Sequence, residues 1–245
     1  MKTSDFLRQA LNDNRLDTNE EPLYSRQLPA GQYKEIEDRG IQASTCKTYD
    51  YQVGLYHGNK AHFARIRDQK GEVTGVHVRK FPKTFAWVNK PSKAQLFGQH
   101  LGSTDHLIIC EGQIDAMSVY QCQAGFLPNT IVVSTTSGVG NAVNDVKANL
   151  SYVQSFNRVT LFFDQDTAGR EGAQKVADLL GGGTKLRVVT GLPYKDANEA
   201  LVQGDHQAIK TAPYLSLRWT TAGLVPASVL ASTRPKTQCC VGDQR

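Results

Sequence analysis

Five carboxylates recur at one kind of place in this chain. Glu111 follows the apolar run LIIC (107–110) directly, Asp164 follows VTLFF (159–163) with Asp166 two residues on, and Asp196 lies just after a further run at 186–190. Asp115 falls four residues after Glu111, in the first turn of an expected helix. Clustered carboxylates repel one another and are costly to desolvate, so a convergent group implies a compensating cation. Hard oxygen ligands in a hydrated site suit Mg²⁺ or Mn²⁺, which keep several waters and bind one or two carboxylates together with substrate phosphates. The chemistry that follows is phosphoryl or nucleotidyl transfer. Taken singly, each acid has a plainer use as a helix N-cap or loop residue, and Asp115 as a complement to a helix dipole.

The elements that must position these acids are strands alternating with helices. Leu107–Cys110, Thr130–Ser134, Val159–Phe163 and Leu186–Thr190 are short apolar runs. Between them the spacing predicts helices over Gln113–Gln123, from the loop at Ser137–Gly140 to about Phe156, over Ala168–Leu180 and around Asn198–Leu201. Strands buried on both faces and separated by helices make a parallel sheet with crossover helices. In such sheets ligands gather outside the carboxyl ends of the strands, where all of these acids fall.

The first half of the chain reads differently. A short amphipathic helix opens it, a polar linker runs to residue 32, and 33–39 has a helical character that ends at Gly40 as a C-cap. Gly54–Tyr56, His62–Arg67 and Val73–Arg79 read as strands, the last two joined as a hairpin. From Lys60 to Lys93 there are nine Lys or Arg against Asp68 and Glu72, a local +7 in a chain of net charge +5. That is the electrostatic footprint of a polyanion partner. Strand alternation puts Arg65 with Arg67 and His77 with Arg79, predicting a positive sheet surface. The segment KFPKTFAWVNKPSK (80–93) interleaves Phe81, Phe85 and Trp87 with lysines, a mixture suited to phosphates and bases, although each ring alone is better placed in a core.

Composition narrows the classes further. The 245 residues are 40% hydrophobic and 21% charged, ordinary for a globular protein. No apolar run approaches the roughly 18 residues of a membrane span, and the N-terminus lacks a secretory core, so a cytoplasmic location is expected. The five cysteines, Cys46, Cys110, Cys122, Cys239 and Cys240, have neither disulfide nor zinc spacing and read as free thiols.

The stretches EGQID (111–115) and FDQDTAGREG (163–172) together resemble the Toprim signature, a glutamate-glycine turn after one strand and a DxD pair after another. With GIQASTC (40–46), RDQKGEV (67–73), LFGQHL (96–101) and LPYKDANEAL (192–201), the chain resembles the primase half of the bifunctional primase-helicases of short-tailed bacteriophages over about residues 33–212. The resemblance implies a mixed α+β basic N-terminal subdomain (33–100), a Toprim catalytic subdomain with a parallel sheet flanked by helices (101–212), and a linker-like, partly disordered tail (213–245) after an N-terminal helix and linker (1–32). It implies RNA-primer synthesis on single-stranded DNA from ribonucleoside triphosphates. Glu111, Asp164 and Asp166 would hold Mg²⁺ or Mn²⁺, and Asp115 and Asp196 match further acids of the catalytic site. Arg39, Arg79 and Lys83 match basic positions of the family, and Arg65, Arg67, His77, Lys80 and Lys93 complete the expected nucleotide or nucleic-acid surface.

Three departures from that family stand out. His77 replaces a lysine, Gln113 stands where many relatives carry a second glutamate, and neither a four-cysteine zinc module nor a GxxxxGK[ST] loop occurs. No zinc is expected, and the implied partners therefore include a helicase or a separate zinc-binding template-recognition module. Two alternatives remain at this point: a Toprim nuclease, and a non-catalytic single-stranded-DNA-binding module derived from a primase.

Overall fold

The computed structural model describes residues 28–181, 185–220 and 223–225. The expected N-terminal helix, most of the linker, Cys239, Cys240 and the end of the tail lie outside the described residues. The first sheet is antiparallel, in the order β1 (Gly31–Gln32), β2 (Tyr51–Tyr56), β3 (Asn59–Arg67), β4 (Val73–Lys80), β5 (Thr84–Val88). A 3₁₀ turn at Glu37–Arg39 and the helix α1 (Ala43–Thr48) precede β2. Gly40 closes the turn in the left-handed region, at φ 62°, where glycine carries no Cβ penalty. The expected helix over 33–39 is only that one turn.

Register decides which faces the basic residues occupy. Ala64 pairs with His77 and His62 with Arg79, whereas Arg65 pairs with Val76. Paired residues in an antiparallel ladder point to the same side. Val76 and Val78 are buried with Ala61, Phe63 and Val88, so Arg65 lies on the face opposite His77 and Arg79. The basic residues of the expected positive sheet surface are therefore divided between its two faces. The alternation within each strand was legible, but the cross-strand register that relates one strand to the next was not.

Arg65 and Arg67 serve the fold instead. Nε and Nη2 of Arg67 donate to Asp50 Oδ2 at 2.8 and 2.5 Å, Tyr33 donates its hydroxyl to Oδ1 at 2.7 Å, and Arg65 Nη2 donates to the Pro29 carbonyl at 3.1 Å. A buried carboxylate satisfied in this way is destabilising once a partner is removed. Arg67→Ala should lower stability by about 2 kcal/mol, less than a fully buried pair because the guanidinium reaches solvent. Urea unfolding checks this.

The second half is a six-stranded sheet in a three-layer arrangement. Its elements are β6 (His106–Cys110), α2 (Gln113–Gln123), β7 (Thr130–Ser134), α3 (Ala142–Ala148), α4 (Leu150–Gln154), β8 (Arg158–Phe162), α5 (Thr167–Leu180), β9 (Lys185–Val188), α6 (Ala197–Val202), α7 (His206–Leu215), β10 (Leu217–Thr220) and β11 (Gly223–Val225). The strand order is β11-β10-β9-β8-β6-β7, with β9, β8, β6 and β7 parallel. Leu107 and Ile109 pack with Val146, Val153 and Val176 on one side; Ile108 and Cys110 pack with Met117, Ala200 and Ile209 on the other. Helices thus cover both faces, as the unbroken apolar strands required.

Two expectations change here. The region after Tyr214 was expected to be linker-like, yet β10 and β11 add antiparallel strands beyond β9 and satisfy what would otherwise be an open sheet edge. The helix expected to run to Phe156 is broken at Asn149, whose amide donates to the carbonyls of Ala94 and Asp145. Cys46, Cys110 and Cys122 are buried free thiols. Among the described residues no helix is long and apolar enough to cross a membrane.

The two sheets share one core. Ile36, Tyr49, Tyr51 and Ile66 from the first half pack with Phe97, Met117 and Val132, and the Tyr49 hydroxyl donates to the Val132 carbonyl at 2.8 Å. Arg39 Nη1 donates to Asn198 Oδ1 at 3.2 Å, while the Asn198 amide donates back to the Arg39 carbonyl at 2.8 Å. Between the halves lies a cleft.

Candidate active site

The strand order explains why distant acids meet. The chain leaves β6 for β7 on one side and returns to β8 on the other, so the β6–β8 junction is a topological switch point. Cys110 pairs with Phe162 at the carboxyl end of this junction. Glu111 and Asp164 emerge beside each other just beyond it. The next acids are held by local capping. Asp166 caps α5 by accepting from the Gly169 amide at 2.9 Å, and Asp196 caps α6 by accepting from the Glu199 amide at 2.7 Å. Asp115 accepts from the Asn198 amide at 3.1 Å.

Gly169 sets how closely α5 approaches Asp164. A Cβ at this position would lie 2.2 Å from the Asp164 carbonyl oxygen, so the first turn fits only because residue 169 has no side chain. Thr135 donates its hydroxyl to the Glu111 carbonyl at 2.7 Å from the neighbouring strand end. The loop after β7 is organised by the buried Asp145, whose carboxylate accepts from the backbone amides of Thr136 and Ser137 at 2.8 and 3.0 Å.

The electrostatics are those of crowded like charges. Burial first, and then the charges of Asp164 and Asp166, push Glu111 up to about 7. Burial and Asp196 raise Asp164 to about 6, with Lys195 opposing. Asp115 is raised as well, by burial and then by Asp196 and Asp164. Asp166 is the exception, held low by the Gly169 amide. Lys195 sits among them, Nζ 3.8 Å from Asp164 and 3.6 Å from Asp166, and its own pKa is raised by Asp164.

A cleft of about 950 Å³ brings these groups opposite the basic subdomain. Glu111, Asp115, Asp164, Asp196 and Lys195 line one wall; Arg39, His77, Arg79, Lys83 and Lys90 line the other. Asp166 stands at the margin, joined to the group through Lys195. Of the basic residues expected at the nucleic-acid surface, Arg39, His77, Arg79 and Lys83 are brought together here. Arg65 and Arg67 are committed to Asp50, and Lys80 and Lys93 are not in the cleft lining.

Sequence reasoning passed over Lys195 and Lys90. Lys195 was readable as the residue immediately before Asp196, but nothing in the spacing placed its ammonium between Asp164 and Asp166. Phe85 and Trp87, better placed in a core when read singly, also line the cleft, Phe85 at 48% exposure. Two of the departures noted in the sequence meet each other: the Gln113 amide donates to Nδ1 of His77 at 2.8 Å. Burial lowers the His77 pKa, which favours the neutral ring.

The donor set fits a divalent ion. Glu111 Oε2 is buried with no hydrogen-bond partner in a cluster of repelling carboxylates, an arrangement that an added cation relieves. Among the described residues no three acidic, histidine or cysteine side chains are placed together so as to hold a metal ion between them. An ion that keeps most of its waters needs only one or two of them.

Comparison with known proteins follows the same division. Residues 31–88 match the family described as the N-terminal α+β fold of bacteriophage T7 DNA helicase/primase, and residues 108–201 match the Toprim-like family. The primase domains in an assembly of bacteriophage T7 lagging-strand DNA polymerase with an RNA/DNA hybrid and dTTP are 33% identical, with a TM-score of 0.71 over 77% of this chain and 94% of that one. This chain belongs to the T7-type primase family. The primase fragment of the bacteriophage T7 primase-helicase is 31% identical, with a TM-score of 0.68 over 77% of this primase-family chain and 84% of the fragment. The DNA helicase/primase of Enterobacteria phage T3 is 33% identical over 198 residues, 80% of this chain. The T7-type primase chain spans only 34% of that relative's length.

Proposed function

We propose that this chain is a DNA primase core that joins ribonucleotides into short RNA primers on single-stranded DNA. The observation that carries the reading is the cleft itself, with Glu111, Asp164 and Asp196 on one wall and Arg39, Arg79 and Lys83 on the other. A negatively charged strand and a triphosphate are held by the basic wall, and the reacting phosphate is presented to the acids. Membership in the T7-type family, one of whose solved assemblies contains an RNA/DNA hybrid, supports RNA made on a DNA strand.

In this reading Glu111, Asp164 and Asp166 hold Mg²⁺ or Mn²⁺, with Asp115 and Asp196 next to them. The bound ion supplies charge neutralisation at the phosphoryl oxygens and activation of the attacking 3′ hydroxyl. Lys195, the sole ammonium paired with both Asp164 and Asp166 among the described residues, holds the acid cluster together until the ion and the triphosphate arrive. Arg79 and Lys83 orient phosphates. The neutral His77 contributes a flat ring and no charge. A helicase or a zinc-binding template-recognition module is the partner the family pattern implies, and the host cytoplasm is the implied location.

The raised pKa values give a pH signature. A carboxyl whose folded pKa exceeds its unfolded value stabilises the fold below the unfolded pKa, and that stability is lost as pH rises through the folded pKa. For Asp164 the window runs from 3.8 to about 6, and for Glu111 from 4.5 to about 7. In EDTA, stability should fall across these windows. Millimolar Mg²⁺ should raise the melting temperature more at pH 8 than at pH 5.5, because only ionised ligands bind it. Equal Mg²⁺ shifts at both pH values count against these residues as ligands.

The deciding experiment is incubation with single-stranded DNA, labelled ribonucleotides and Mg²⁺ or Mn²⁺. Metal-dependent oligoribonucleotides support the primase. Shortened DNA favours a Toprim nuclease, and salt-sensitive DNA binding with neither product favours a binding module.

A further inference from the structure

The cleft wall facing the acids carries a column of flat rings. His77 is stacked on Trp87 at 4.7 Å between centroids with planes 27° apart, and on Phe85 at 5.0 Å with planes 16° apart. The order follows from register: His77 pairs with Trp87, and Arg79 with Phe85, across β4 and β5. At one end Trp87 packs against the shared core. At the other end Phe85 is 48% exposed, and its only ring contact among the described residues is with His77. The middle ring is locked, because the Gln113 amide holds Nδ1 of His77 from the opposite half of the molecule. A large apolar ring left exposed at the end of a stack rooted in the core presents one unused aromatic face.

Phe81 makes the contrast plain. It is 40% exposed, but the Lys60 ammonium and the Arg79 guanidinium lie 5.7 and 6.0 Å from its ring centroid, and His62 meets it edge-on. Its surface is already used. Phe85 has no such cations over it among the described residues, while Lys83 lies two residues away and Arg79 directly across the ladder.

We propose that the outer face of Phe85, at the free end of the Trp87–His77–Phe85 stack, is a stacking site for a nucleobase whose phosphate is held by Arg79 and Lys83. An exposed π-face beside cations fits a base joined to a phosphate, and it is tolerant of sequence because every base has a face to stack. The inference deepens the nucleic-acid reading of the cleft and rests on it. The base belongs either to a single strand or to a mononucleotide.

The test is a binding measurement, so it does not depend on catalysis. Fluorescence anisotropy compares a labelled ten-residue oligothymidylate with an abasic oligomer of equal length, and competition with ATP supplies the mononucleotide arm. The wild type should bind oligothymidylate about 5- to 100-fold tighter than the abasic strand, the range for one stacked base. Phe85→Leu should abolish most of that difference and leave abasic binding unchanged, whereas Lys83→Ala weakens both oligomers. Loss confined to ATP competition in Phe85→Leu also supports the site and assigns the base to the mononucleotide.

The proposal is overturned if Phe85→Leu weakens base-bearing and abasic ligands equally, or changes neither oligothymidylate nor ATP binding. Thermal unfolding of the same variant controls for folding, and His77→Phe, which keeps a flat ring in the column, should retain base-dependent binding. Primer synthesis measured in parallel keeps the two readings apart. Base-dependent binding without primers sinks the primase and leaves the stacking site standing, and primers without base-dependent binding do the reverse.

Discussion

Asp164→Asn should lower primer synthesis by on the order of a thousandfold while leaving the protein folded. Asp164 stands at the β6–β8 switch point, largely shielded from solvent, with burial and Asp196 raising its pKa to about 6. The amide keeps the shape of the carboxylate and removes its charge. In the absence of metal this relieves repulsion on Glu111 and Asp115, both of which count Asp164 among the causes of their raised pKa values. The variant should therefore melt no lower than wild type at pH 8 in EDTA, and its response to Mg²⁺ should shrink. A drop in activity accompanied by a large loss of stability would instead make Asp164 a structural residue. Retention of activity within a few fold would remove it from the site altogether.

Gly169→Ala should cost both stability and activity, for a reason that involves no charge. The added methyl would meet the Asp164 carbonyl oxygen at 2.2 Å, so either the first turn of α5 or the strand end must move. Overpacking of this kind costs about 1–3 kcal/mol. A displacement of about 1 Å at a reacting centre lowers rate by roughly a hundredfold. Asp166 moves with it, because its carboxylate caps the same turn through the Gly169 amide. The expected result is a lower urea midpoint together with a loss of primer synthesis larger than the loss of stability explains. DNA affinity, which the proposed function assigns to the opposite wall, should stay close to wild type. A variant that is merely less stable, with full specific activity below its unfolding transition, would show that the turn can shift without disturbing the acids.

Much of the catalytic half was legible because parallel strands buried on both faces announce themselves as apolar runs and helices follow at regular spacing. Leu107–Cys110 and Thr130–Ser134 are strands, and Gln113–Gln123 is a helix with those bounds. The position of Glu111 and Asp164 at strand ends was likewise readable. Their adjacency was not, since it depends on β6 lying between β7 and β8, an order that no local pattern encodes.

The antiparallel half was harder for a related reason. Alternation gave the faces within β3 and β4, but only the register showed that Arg65 opposes Val76, away from the cleft. The strand β5 was hidden because its lysines and aromatic residues read as a binding segment, and it is in fact both a strand and a cleft wall. Likewise, the strand β10 has meaning only once β9 is seen to need a partner. Lys195 eluded the sequence because a cation between two acids is a property of folded space.

The core shared by the two sheets has a consequence for how a long substrate is handled. Tyr49 is bonded to the Val132 carbonyl and packed between Phe97 and Tyr120, so the floor of the cleft is one continuous solid. Packed interiors resist bending, and this floor offers no hinge about which the walls could close. The opening between Lys83 and Asp164 is therefore a fixed gauge. On the proposed function, a duplex would pass such a gauge by sliding and not by the opening and shutting of the protein.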